Sequence, residues 1–166
     1  FWGAIRMMAF EAFYRSSSAV QPLTLEQTIS YVWLTQALLL LLPMRLDREV
    51  LEMIRTGTLA YELARPVDLY SYWYVRNVAG RIAPALLRAV PMFVLAGLFL
   101  GLQLPPSPLA ALAFLLSVVG AVLLSAALVT LTTVTLLWTI SGGGISRLVN
   151  EASWLLSGAL VPLPLL

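Results

Sequence analysis

The chain has 166 residues, of which 60% are hydrophobic and 11% charged, with a mean hydropathy of +0.90 and a net charge of +2. Soluble domains carry about 25% charged residues, and short domains leave much of their surface exposed, so water cannot be the solvent for most of this chain. Cysteine, histidine and lysine are absent, which excludes thiolate metal sites, the commonest neutral-pH base and a P-loop with its obligatory Lys.

Residues 1–13 (FWGAIRMMAFEAF) read as the end of a first helix, made partly polar by Arg6 and Glu11. Phe1 is not an initiator, and the chain stops in the apolar run Pro164-Leu165-Leu166, so a longer parent protein is expected. A span is predicted over about 25–43. Thr24 and Gln27 stand three apart ahead of an apolar run, the spacing of a capping box, and Pro43 marks the other end.

Residues 45–88 hold twelve of the eighteen charges, seven Arg and five acidic. The loop 45–76 is the most informative stretch. Asp47 is placed to cap a short helix and Gly57 to end it. Leu46, Val50, Met53 and Ile54 fall on one face of that helix; Arg48, Glu49, Glu52 and Arg55 fall on the other. Glu49, Glu52 and Arg55 have the spacing for i, i+3 pairs. Pro66 pushes Arg65 out of the helical region, and Asp68 can then cap the next helix.

Residues 89–146 carry no charge over 58 positions, room for two spans of about 20 residues each. The cluster Pro105-Pro106-Ser107-Pro108 divides them into spans near 82–102 and 109–139. Pro84 and Pro91 are expected to bend the first, with an elbow ahead of the true span. A fourth span begins near Leu148. The glycine run Gly142-Gly143-Gly144 reads as a flexible turn before it.

Arg-rich loops stay cytoplasmic, which places 45–81 and 141–150 inside, and 14–24 and 103–108 outside. Tyr70, Tyr72, Trp73, Tyr74, Trp138 and Trp154 are then expected in the cytoplasmic aromatic belt.

Three features admit two readings each. Gly97-x-x-x-Gly101 permits close helix approach, either at a dimer interface or within the protomer, and Ala121 and Ser125 read the same way. Thr130, Thr132, Thr133, Thr135 and Thr139 either line a substrate path or bond back to their own helix. Arg81 and Arg88, seven apart on one face, are either intramembrane charges or snorkel to the surface.

The stretches Tyr31-Val32-Trp33-Leu34-Thr35-Gln36-Ala37-Leu38, Ile54-Arg55-Thr56-Gly57, Tyr61-Glu62-Leu63-Ala64-Arg65-Pro66-Val67-Asp68 and Gly158-Ala159-Leu160-Val161-Pro162 resemble the transmembrane permease of type-2 ABC exporters, the ABC-2 family. The resemblance implies an all-α, polytopic bundle, here four to five spans of a six-span permease, in a bacterial inner membrane. It implies a cytoplasmic ABC ATPase that binds ATP and Mg, and a second permease subunit, identical or different. It makes residues 46–56 the coupling helix. Asp47, Arg48, Glu49, Glu52, Arg55, Gly57, Arg65, Pro66 and Asp68 then form the coupling loop, Gly97 and Gly101 serve helix packing, and Thr132, Thr135 and Thr139 a substrate path. No catalytic residue, metal or nucleic acid is expected in this chain. The competing reading is a non-transporting membrane anchor with the same spans and no ATPase contact. An intramembrane enzyme is disfavoured, since the uncharged runs offer no general base.

Overall fold

The computed structural model describes residues 2–16, 23–43, 47–99, 102, 105–139 and 143–159. Among these every regular element is helical: α1 (Trp2–Ser16), α2 (Leu25–Ala37), a 3-10 turn (Leu39–Leu41), α3 (Arg48–Thr56), α4 (Leu59–Leu63), α5 (Leu69–Phe99), α6 (Pro108–Thr135) and α7 (Gly143–Leu156). The predicted all-α bundle is what forms.

Among the described residues, α5 and α6 are the two helices long and apolar enough to cross a bilayer. At 1.5 Å per residue their 31 and 28 residues rise roughly 46 and 42 Å, beyond a hydrocarbon core of about 30 Å. They pack mainly on each other, while α2 sits between α1 and α5. Asn77 Nδ2 donates to Thr130 Oγ1 (3.1 Å) across the α5–α6 seam, and Phe93 meets Phe114 edge to face. The outer faces carry Leu87, Leu98, Leu115 and Leu116, all well exposed. An apolar patch of that extent needs lipid or a partner to cover it.

Several boundaries differ from those expected. The 25–43 span is not one helix. α2 opens with the predicted capping box: Thr24 Oγ1 accepts from Gln27 N (3.2 Å), and Gln27 Oε1 accepts from Thr24 N (2.9 Å). It ends at Ala37, and a 3-10 turn follows. The cause is Pro43, which cannot donate to Leu39 and forces its neighbour out of the helical region; Leu42 is accordingly extended (φ −63°, ψ 140°). The 82–102 span starts earlier, at Leu69, because the cap at Asp68 is strong enough to begin a helix there. α5 runs on through Pro84 and Pro91 with no separate elbow. α6 ends at Thr135, short of 139, in a turn closed by Leu136 N donating to Thr133 O (3.1 Å). α7 begins at Gly143, so Gly143 and Gly144 form its first turn and do not precede it. Gly142 lies outside the described residues.

Arg88 decides how the break in α2 is tolerated. Its Nε donates to the carbonyl of Gln36 (3.1 Å), one of the orphan acceptors at the α2 C-terminus. In a bilayer such a carbonyl has no water to turn to. Arg88 is therefore half-buried and used inside the bundle, not extended to the surface. Gly3 lets α1 approach here too, since a Cβ on it would meet Gln36 Cγ at 3.2 Å and the Trp33 ring at 3.3 Å. Replacing Arg88 with Ala should cost about 1.5–3 kcal/mol, the range for a hydrogen bond from a charged group. Arg88→Lys should recover part of it. Detergent-induced unfolding of the three proteins, followed by circular dichroism, measures the order.

Candidate coupling site

The loop 47–76 folds as predicted in outline, and its caps are local. Asp47 Oδ1 accepts from Glu49 N (3.0 Å) and Val50 N (3.4 Å), which starts α3. Gly57 ends it in the left-handed region (φ 75°), with its N–H donating to Ile54 O (3.4 Å). Only glycine takes that φ without strain. Leu59–Leu63 then make one short helix. Val67 N donates to Arg65 O (2.8 Å), an inverse γ-turn with Pro66 at its centre, where the fixed φ of proline fits. Asp68 Oδ2 accepts from Ser71 N (2.7 Å) and opens α5. The hydrogen bonds from the Ser71 side chain and backbone hold the Asp68 carboxyl below the usual carboxylate range. A depressed carboxyl stabilises the fold at any pH above its unfolded value of 3.8 and loses that only as the pH falls through its folded value. The cap is thus fully charged at neutral pH.

α3 and α4 are held to α5 by two residues, inside the predicted 45–76 stretch, to which sequence reasoning gave no such role. Arg76, in the second turn of α5, reaches back to α3: Nη2 lies 2.7 Å from Asp47 Oδ2 and 3.0 Å from Glu49 Oε2. Asp47 thereby caps α3 with one oxygen and anchors it with the other. Trp73, expected in the interfacial belt, is instead buried, and its Nε1 donates to Glu62 Oε2 (3.4 Å). Glu62 also pairs with Arg65 (3.2 Å). Below this polar layer Val50 is fully buried, with Met53 and Ile54 half-buried beside it. Leu46 and the Arg48 side chain lie outside the described residues.

The i, i+3 pairs expected along α3 do not form. Glu49 is drawn to Arg76, and Glu52 and Arg55 are exposed with no side-chain hydrogen bond or ion pair among the described residues. The outer face of α3 thus presents one acidic and one basic group, both unspent, on a helix that is fixed at each end and along its inner face.

The other predicted residues divide differently. Gly97 is exposed, and a Cβ there would meet nothing within 4 Å among the described residues; Gly101 lies outside them. The threonines bond back to their own helix: Thr130 to Ala126 O (2.8 Å), Thr132 to Leu128 O and Val129 O (both 2.9 Å), Thr133 to Val129 O (2.7 Å), Thr135 to Thr132 O (2.7 Å) and Thr139 to Thr135 O (2.8 Å). Thr130, Thr132 and Thr133 are buried as well. Among the described residues no group of acidic side chains is placed to hold a metal ion.

A family model described as ABC-2 family transporter protein matches residues 1–166. The chain matches no curated protein and no solved structure.

Arg76→Ala should free α3 from α5 at the cost of leaving Asp47 without its buried partner. Hydrogen exchange across 47–63 should rise by tenfold or more, while exchange across 108–135 should stay within twofold. Asp47→Ala removes the cap as well, worth roughly 0.5–2 kcal/mol more, and should raise exchange across α3 further.

Proposed function

The chain belongs to the ABC-2 family of transporter proteins, and on that premise we propose that it is the permease subunit of an ATP-driven exporter whose ATPase partner docks on α3. As a member of that family it supplies the transmembrane part of a transporter and not its catalytic part. ATP and Mg belong to the separate ATPase. The chain pairs with a second permease subunit in a bacterial inner membrane, with α3 and α4 on the cytoplasmic side. Exposed Gly97 leaves one face of α5 open to such a partner.

The single observation that carries the reading is the state of α3. Its two ends are capped, its inner face is buried through Val50, and its anchor is a partly buried bridge to α5. Yet Glu52 and Arg55 are exposed and make no side-chain bond among the described residues. A solvated loop needs no such fixing. A lever that must take a push from one protein and deliver it to a membrane helix does. Closure of the ATPase pair would move α3, Arg76 and Trp73 would carry that displacement into α5, and the helices would rock between two packed arrangements.

The test is co-purification of the full-length protein in mild detergent, wild type against Glu52→Lys plus Arg55→Glu. The wild type should bring down an ABC ATPase, and the charge-reversed protein should lose it at least tenfold while staying folded. A wild type that recovers no ATPase, or a double variant that recovers as much as wild type, overturns the docking assignment.

A further inference from the structure

Among the described residues four arginines are half-buried: Arg6, Arg76, Arg81 and Arg88. Three have partners inside the chain. Arg6 donates to Ala159 O, Arg76 to the carboxylates of Asp47 and Glu49, and Arg88 to Gln36 O. Arg81 is the exception. Its Nε is enclosed without a hydrogen-bond partner. Its Nη1 and Nη2 are not enclosed, and they make no hydrogen bond or ion pair among the described residues. Arginine stays charged throughout. Its stem is held in the bundle while its two terminal nitrogens stay open, and a charge left in that state without a partner is costly.

Depth decides where a partner comes from. Tyr70 and Tyr74 stack near the start of α5, ring centroids 6.3 Å apart, and Tyr70 is exposed. Tyrosines beside a span concentrate at headgroup level. Arg81 follows Tyr74 on the same face by two turns, roughly 10 Å along the axis, and Arg88 by four, roughly 21 Å. Arg88 is too deep to reach headgroups and takes a backbone carbonyl. Arg81 is within reach. The Cα–Cβ bond of a helical residue tilts toward the helix N-terminus, which on α5 is the headgroup side, and a long basic side chain carries its charge that way. There is room beside it. A Cβ on Gly80 would meet nothing within 4 Å among the described residues, and Ala79, Ala83 and Pro84 are exposed.

The charge balance decides which headgroup fits. The carboxylates that reach α5 and its loop are engaged: Asp47 and Glu49 by Arg76, Glu62 by Arg65 and Trp73. A zwitterionic headgroup would bring an ammonium with its phosphate, and none of these carboxylates is left to receive it. A headgroup of net negative charge neutralises Arg81, and its phosphate oxygens can accept from both open nitrogens.

We propose that Arg81 binds the phosphate of an anionic phospholipid in the leaflet on the α3 side, with the lipid lying against the open stretch of α5 around Gly80. The site rests on α5 crossing the bilayer and not on the docking of an ATPase.

The experiment is thermal unfolding of the full-length protein in mild detergent, titrated with phosphatidylglycerol or with phosphatidylcholine of the same chains. Binding to the folded state raises the midpoint by an amount set by the affinity. Phosphatidylglycerol should bind about tenfold more tightly, the low end for a hydrogen bond to a charged group. Arg81→Gln and Arg81→Met break no bond between described residues, and should bring the two lipids to within about twofold of each other. Arg147→Gln removes an exposed cation on α7 and should leave the tenfold difference in place. The preference should also persist in about 0.5 M NaCl, since a partly buried pair is screened much less than exposed charges are. Equal binding of the two lipids by the wild type overturns the proposal. So does a preference that survives in Arg81→Gln, falls equally in Arg147→Gln, or vanishes in salt. Millimolar inorganic phosphate that stabilises the wild type as much as phosphatidylglycerol does would put a free anion at Arg81 and overturn the lipid assignment. If neither Arg81 variant folds, the salt dependence of the wild type decides. No readout involves an ATPase, so failure of the docking assignment and failure of this site are separate results.

Discussion

Arg76 carries two carboxylates at once, Asp47 at 2.7 Å and Glu49 at 3.0 Å, and the position of α3 against α5 depends on that. An exposed ion pair contributes at most about 1 kcal/mol. This one is different in kind because Asp47 is largely enclosed, with a side-chain exposure of 14%, and is already committed to the α3 N-terminus. Its negative charge is stabilised by the helix amides on one side and the guanidinium on the other. Both bonds leave one nitrogen, Nη2, which donates to each carboxylate. Without the bridge, α3 and α4 would hang from α5 by Trp73 and a proline turn.

The same logic, applied inside the bundle, explains why a charged side chain is used among apolar helices. The carbonyls at the end of α2 must be satisfied by protein. Arg88 supplies the donor from α5. Nearby, Tyr31 and Arg6 donate to Gly158 O (2.7 Å) and Ala159 O (2.7 Å) in the segment that follows α7. The end of α2 and the segment after α7 are thus tied by side chains from other helices.

What was legible in the sequence were features whose partners lie within four residues. Thr24 and Gln27, Asp47, Gly57 and Asp68 each act on their own helix end, and each does in the structure what its chemistry dictates. The amphipathic face of α3 was legible for the same reason. What was not legible depends on distance. Arg76 meets Asp47 across 29 positions and Trp73 meets Glu62 across 11; neither spacing carries a periodic signal. Trp73 read as interfacial because an aromatic among tyrosines beside an apolar run usually is. The exposed faces of α5 and α6 were legible as apolar, but which face meets which helix was not, because Leu, Ala and Val recur on every side. The break in α2 sat between these cases. Pro43 announced an end, but the unwinding reaches back to Leu38, in front of the proline ring, and a donor from α5 makes it tolerable.

The contacts along α5 are ordered. Trp73 and Arg76 hold the loop in the first two turns; Asn77 holds α6 in the next; Arg88 holds α2 three turns further on. Pro84 falls between the last two groups. It removes the backbone donor that would have bonded to Gly80, and Gly80 has no side chain to brace the gap. A helix bends most easily where its ladder is interrupted. Yet α6 packs on α5 on both sides of this point, through Asn77 with Thr130 before it and through Phe93 against Phe114 beyond it, so the weakened stretch of α5 is splinted by its neighbour.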